Sequence, residues 1–102
     1  MAHEQAEQLD EKFYDRADAH IALANGHINQ QIHPGWVSNS FMFAASRFNA
    51  WLAAAGAKDA EEMQEKKGEI MDYFLSQYKA MLEENVDDYI ANFNTYMGKS
   101  DA

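Results

Sequence analysis

The 102-residue chain contains no cysteine, one proline and five glycines. Without cysteine there is no disulfide framework, no thiolate nucleophile and no cysteine-ligated metal or iron–sulfur cluster. So few prolines and glycines leave little material for the turns of a β-rich fold. These absences favour helices, and the many alanine, glutamate, methionine and glutamine residues point the same way.

Positive charge is also scarce. Eight lysines and arginines stand against 17 aspartates and glutamates, which gives a formal net charge of -9. The cations are scattered along the chain, and only Lys66 and Lys67 are adjacent. Affinity for nucleic acid and for anionic membrane surfaces comes mainly from clustered cations, so the sequence predicts neither partner.

The chain has no long apolar run. The N-terminal segment MAHEQAEQLDEK lacks the apolar region of a secretory signal. The most apolar segment, SFMFAASRFNAWLAAAG (residues 40–56), is interrupted by polar residues well short of the ~20 apolar residues that a spanning helix needs. We therefore expect a cytoplasmic protein without a membrane partner.

Apolar residues recur every three or four positions along three segments, which is typical of helices that bury one face. The sequence predicts a helix over about 5–32, a second over about 38–55 and a long third over about 59–97, followed by a frayed tail over 98–102. The capping pattern DAEE (residues 59–62) begins the third helix. Its expected kinks or breaks are Gly68 and the stretch NVDD (residues 85–88).

The connections between these helices, HPGWVS and GAK, are short. Short connections make successive helices antiparallel neighbours, so we predict one all-α domain spanning 1–102, a small bundle of three to four antiparallel helices. The second helix is apolar over most of its circumference, and such a helix is covered on several sides. Three rods are too few for this, so we expect a homodimer to complete the bundle.

The predicted interface or ligand-lining residues lie on this second helix: Phe41, Phe43, Arg47, Phe48 and Trp51. Arginine suits an interfacial ion pair because its guanidinium binds a carboxylate through two hydrogen bonds. We expect Arg47 to pair with Asp15 or Asp18 of the first helix, or with an acid of another subunit. Binding of an anionic ligand is the alternative role.

A dense acidic patch follows on the third helix, formed by Glu83, Glu84, Asp87 and Asp88. A solvated helix face is the preferred interpretation, and docking of a basic partner or of a divalent cation is the alternative. His20 and His27 border the apolar stripe of the first helix but lie about 10 Å apart along its axis, too far to share one metal ion. We expect them to be half-buried and hydrogen-bonded.

No catalytic constellation is evident. The chain has no Gly-x-Ser-x-Gly elbow, no glycine-rich phosphate loop and no helical metal-ligand pair in its body. We therefore expect no catalytic, cofactor-binding or metal-binding residues and no enzyme activity. The sequence predicts a self-associating protein-interaction module, open to a further protein partner; the alternative is a binder of a small apolar or anionic ligand in an aromatic-lined cavity between helices.

Three blocks of the sequence carry a resemblance to a known family. They are FYDRADAHIALAN (residues 13–25), VSNSFMFAASRFNAW (residues 37–51) and YFLSQYKAMLEENVDDYIANF (residues 73–93). With them the chain resembles the small bacterial proteins of domain-of-unknown-function family 3144. The resemblance implies a cytosolic bacterial source and an α-helical fold. It implies no activity, so no functional residue is carried over from it.

Overall fold

The structure, a computed structural model, describes residues 10–98 of the chain. This part of the chain forms five α-helices and no strand. The helices are α1 (Phe13–His27), α2 (Pro34–Ala55), α3 (Ala60–Glu65), α4 (Lys67–Ala91) and α5 (Phe93–Met97). The predicted all-α class is confirmed. Where the sequence predicts one domain, the helices fall into two compact units, with α1 to α3 in the first and α4 and α5 in the second.

Helix α1 starts three residues after Asp10, whose side chain binds the backbone of Lys12. The carboxylate of Asp10 accepts a hydrogen bond from the N–H of Lys12 at 3.1 Å and also forms an ion pair with Arg16. A local side-chain bond of this kind competes with helical hydrogen bonding, so Asp10 stands outside the helix and Phe13 begins it. The start predicted near residue 5 lies outside the described residues.

Helix α1 ends at His27, short of the end predicted near residue 32. The cause is Asn29, whose side-chain oxygen accepts hydrogen bonds from the N–H groups of Gln31 at 2.8 Å and Ile32 at 2.9 Å. This Asx turn gives the backbone an alternative to the helix. The apolar spacing continues through Ile32, but the helix does not.

Helix α2 begins at Pro34, ahead of the start predicted near residue 38. Proline at the first helical position has no N–H to leave unpaired, and its fixed φ suits the helix. His33 is the N-cap residue, and its Nδ1 accepts a hydrogen bond from the N–H of Gly35 at 2.9 Å. A Cβ at position 35 would lie 3.1 Å from Nδ1 of His33, so glycine permits this close approach.

The capping pattern at the start of α3 is confirmed. The carboxylate of Asp59 accepts a hydrogen bond from the N–H of Glu62 at 2.9 Å, and Glu62 accepts one from the N–H of Lys58 at 2.8 Å. The first bond satisfies a backbone donor that a helix N-terminus leaves without a partner, and the second ties the residue before the cap to the first turn.

The long third segment is broken at different residues from those predicted. The first break is at Lys66, two positions before Gly68. The second is at Asn92, and α4 runs without interruption through residues 85–88. The side-chain amide of Asn85 donates to the carbonyl of Met81 at 2.9 Å, which is compatible with the helix continuing. The prediction of a break at 85–88 is therefore wrong.

In the first unit, α1 packs against α2 near Val37. Val37 is 6% exposed and is the one buried side chain between residues 10 and 98. The rings of His20 on α1 and Phe41 on α2 lie 6.5 Å apart between centroids. The remaining large apolar side chains of α2 stay in contact with solvent, so this unit covers only part of its most apolar helix.

The N-cap of α2 yields a stability prediction. His33→Ala should lower the free energy of unfolding by about 1 kcal/mol relative to His33→Asn, because asparagine retains a side-chain acceptor for the first turn. Urea denaturation followed by far-ultraviolet circular dichroism measures the difference. Equal stability of the two variants would show that the cap contributes nothing.

Candidate functional site

The site residues predicted on the second helix all lie on α2. Phe43 is 68% exposed, Phe48 62% and Trp51 61%, whereas Phe41 is 39% exposed and contacts His20. The rings of Phe48 and Trp51 lie 5.6 Å apart, so they form one continuous apolar patch. We call Phe41, Phe43, Arg47, Phe48 and Trp51 together the aromatic surface of α2.

Two grooves border the aromatic surface of α2. The α1–α2 groove has a volume of about 570 Å³. Its lining residues are His20, Leu23, Ala24, His27, Val37, Ser40, Phe41, Ala44, Ala45, Phe48 and Asn49. None of these lining residues carries a carboxylate. His20 and His27, the two histidines singled out in the sequence, both line the groove.

The α2–α3 groove lies on the other side of Phe48 and has a volume of about 880 Å³. It is lined by Phe43, Ala44, Arg47, Phe48, Ala50, Trp51, Ala54 and Met63. Phe48 and Ala44 belong to both grooves. The structure therefore separates the predicted site residues: Phe41 lies in the first groove, and Phe43, Arg47 and Trp51 lie in the second.

Arg47 forms no ion pair with a carboxylate of residues 10–65. Asp15, one of its two expected partners on the first helix, instead lies 3.8 Å from the ammonium group of Lys12. The guanidinium of Arg47 is exposed and stands among the apolar residues of the α2–α3 groove. An arginine in this position can bind a carboxylate presented from outside the first unit, through two parallel hydrogen bonds.

The acidic patch lies on the second half of α4. Asp88 is engaged within its own unit, because its carboxylate accepts hydrogen bonds from the amide of Asn92 at 2.9 Å and from the hydroxyl of Tyr96 at 3.0 Å. Since α4 is unbroken there, Glu83 and Asp87 remain four residues apart on one helix, as do Glu84 and Asp88. Such like-charge pairs destabilise an exposed helix by a few tenths of a kcal/mol, about 0.2–0.5 each.

The contact between Asp88 and Tyr96 holds α5 against the end of α4. The rings of Tyr89 and Tyr96 meet edge to face, with centroids 4.9 Å apart, and add to the contact. The hydrogen bond to Asp88 raises the pKa of the Tyr96 phenol, and desolvation and then the negative charge of that carboxylate raise it further. Helix α5 ends at Gly98, which has a left-handed φ of 68°. The rest of the frayed tail predicted over 98–102 lies outside the described residues.

Between residues 10 and 98, no group of three histidine or acidic side chains is placed to hold a metal ion. In the same range, no helix combines the length and the apolar character required to cross a membrane.

Sequence reasoning missed three contributors to this region. Leu23 and Met63 line the grooves. Met63 was signalled by its place on an apolar stripe of the third segment, whereas Leu23 lies off the main apolar stripe of α1. The cap formed by His33 was missed because histidine is not among the usual N-cap residues. The proline that follows it was an available signal for the start of α2.

The family described as "Protein of unknown function (DUF3144)" matches residues 13–90. The chain belongs to this family. A solved structure that resembles it is the NMR structure of the protein NB7890A from Shewanella sp., with 47% sequence identity and a TM-score of 0.72. That similarity covers 84% of this chain and 91% of the other. No curated protein matches the chain.

The family match agrees with the resemblance read from the sequence. It spans α1 to α3 and nearly all of α4, and therefore includes both grooves and the acidic patch. The family's description states no function.

The phenol of Tyr96 yields a prediction of pH dependence. Its pKa is raised in the folded chain, so the contact with Asp88 is fully present below the pKa of an unfolded-chain tyrosine and is lost as the pH rises through the raised value. In an alkaline titration followed by tyrosinate absorbance, the tyrosine that disappears in Tyr96→Phe should be one of the last to ionise. Asp88→Asn should move that titration to lower pH. An unchanged curve in Asp88→Asn would contradict the assignment.

Proposed function

We propose that this protein is a non-enzymatic, cytoplasmic self-association module, a homodimer in which the aromatic surface of α2 is covered by a second copy. The dimer completes the helical bundle that one chain begins. The observation that carries the proposal is the exposure of large aromatic side chains on a single helix. Trp36, Phe43, Phe48 and Trp51 are each more than 60% exposed.

The area of these four rings is large enough to matter. A large aromatic side chain buries about 150–250 Å² when covered, so covering four that are each more than 60% exposed removes roughly 400–600 Å² from water per copy. A standard protein interface buries about 800 Å² per partner. These rings alone would supply about half of it or more, and the alanines, methionines and leucines of the same helix would add to it.

The distribution of charge also favours association through α2. The chain carries a net charge of -9, so two copies repel each other on average. Yet α2 has no carboxylate in its 22 residues, and its one charged group is Arg47. Repulsion between copies is therefore weakest where the apolar area is largest. Arg47 provides a cation for an acid of the second copy.

Association should depend on the aromatic surface of α2. Phe43→Ala should weaken dimerisation by about 2 kcal/mol, roughly thirtyfold in Kd, as expected for an aromatic ring at the centre of an interface. Trp51→Ala should act in the same way while leaving the stability of the monomer nearly unchanged, because Trp51 is 61% exposed within the chain. Sedimentation equilibrium measures both effects.

A matched control is Tyr73→Ala, which removes another exposed aromatic ring, 59% accessible, from α4. Its Kd should stay within about twofold of the wild-type value, since exposed substitutions away from an interface change free energies by less than 0.5 kcal/mol. A wild-type chain that sediments only as a monomer would remove the proposal. If Tyr73→Ala weakened dimerisation as much as Phe43→Ala does, the interface could not be assigned to α2.

A second function, binding of a small apolar or anionic ligand, is favoured by one observation. The α1–α2 groove has a volume of about 570 Å³, within the usual range for ligand pockets of about 300–1,000 Å³. Its lining is apolar except for a few groups that can form hydrogen bonds, among them His20, His27 and Asn49. Arg47 lies in the other groove, so an anion held by Arg47 would not occupy this one.

The ligand-binding function is tested by filling the groove. Ala45→Trp places an indole in the α1–α2 groove, whereas Ala80→Trp places one on α4 and serves as the control. The probe is 1-anilinonaphthalene-8-sulfonate, an aromatic anion, titrated calorimetrically. If the groove is a ligand site, Ala45→Trp should abolish stoichiometric binding and Ala80→Trp should retain it. Absence of binding to the wild-type chain would exclude this function for ligands of that class.

A further inference from the structure

Helix α4 presents a second apolar stripe that remains in contact with solvent. Its members recur at steps of three or four residues and are each between 47% and 60% exposed: Met71, Leu75, Tyr78, Leu82, Val86 and Tyr89. A helix derives most of its stability from covering such a face rather than from its own propensity. The stripe of α4 therefore needs a partner surface.

The α1–α2 groove has the spacing that such a stripe requires. His20 and His27 line it from α1, Phe41 and Phe48 line it from α2, and each pair is seven residues apart. Leu75, Leu82 and Tyr89 on α4 repeat at the same interval, about 10.5 Å along a helix. Side chains that repeat every seven residues on facing helices stay in register along a shared seam.

The size of the residues between these rings also suits a helix. Ala24, Ala44 and Ala45 line the groove together with the rings. Small side chains let a second backbone approach, while large side chains of the incoming helix fill the space that the alanines leave. A volume of about 570 Å³ is enough for several of the α4 side chains at once.

The α4 helix of another copy is a second possible partner for the stripe of α4. The distribution of charge favours the groove over that pairing. Pairing α4 with α4 would bring two copies of the patch Glu83, Glu84, Asp87 and Asp88 onto the same pair of helices. Like charges placed close together oppose association. The groove avoids this, because none of its lining residues is acidic.

We propose that the α1–α2 groove of one copy is the docking site for helix α4 of a second copy, with Leu75, Leu82 and Tyr89 entering between the histidine and phenylalanine pairs. The proposal rests on the self-association argued above and names the segment that completes it. The arrangement is reciprocal, so each copy gives one helix and receives one. The stripe of α4 and the α1–α2 groove, with Phe41 and Phe48 of the aromatic surface, are then covered by the same assembly.

The absence of cysteine in the natural sequence makes a direct test available. Ala45→Cys marks the groove, Leu82→Cys marks the stripe of α4, and Ala80→Cys marks another face of α4 as a control. The single-cysteine variants are mixed in pairs and oxidised mildly, and the products are separated by mass. A disulfide between position 45 of one copy and position 82 of the other should form readily, and the 45–80 pair should not.

Each of the other outcomes would contradict the docking of α4 from a second copy in the groove. Preferential 45–45 or 82–82 disulfides would overturn the docking of α4 in the groove while leaving self-association intact. An intramolecular 45–82 disulfide in a monomer of the doubly substituted chain would show that the groove is filled by its own α4. No intermolecular disulfide in any mixture, together with monomeric sedimentation, would remove self-association and this proposal together.

The dimer Kd of variants without cysteine tests the same contact, with helix content as a check on folding. Leu82→Gln and Ala80→Gln introduce the same polar side chain on the same helix, and circular dichroism checks that both keep the wild-type helix content. Leu82→Gln should raise the dimer Kd at least about tenfold, and Ala80→Gln should leave it within about twofold. Equal effects of the two substitutions would overturn the role of the stripe.

Discussion

The central constraint in this molecule is the imbalance between the apolar surface of α2 and the surface that the rest of its unit can cover. Over 22 residues α2 has one charged group, yet only Val37 is buried. Burial of apolar area is the main force that favours folding, worth about 25 cal/mol per Å². A helix that leaves most of its aromatic rings in water has therefore not used most of the stabilisation that its sequence offers. The two grooves and the exposed Arg47 follow from that imbalance.

The local features of the chain were predictable where one residue type has one dominant physical role. The aspartate of DAEE caps α3 as expected, because its carboxylate reaches the backbone N–H three residues later. The helical class was predictable from spacing alone. The ends of α1 and α2 were not, because Asn29 and His33 bind backbone N–H groups through side chains whose conformation the apolar pattern does not encode.

The candidate site was predictable in part. The sequence identified the aromatic residues and Arg47 of α2 from their helical spacing, but it could not show that Phe48 divides them between two grooves. It also could not assign a partner to Asp88, whose contact with Tyr96 spans eight residues and depends on the break at Asn92. Contacts of this kind require the path of the chain, whereas periodicity reports only which residues share a face.

The chain has two tryptophans, and both of them, Trp36 and Trp51, stand on α2 in water. Indole emission depends on the polarity around the ring, so the intrinsic spectrum of the unlabelled protein reports on this helix and on no other part of the molecule. Anything that covers α2, whether a second copy or a foreign chain, would move that emission to shorter wavelength. The two tryptophans are therefore an intrinsic fluorescence probe of the surface of α2.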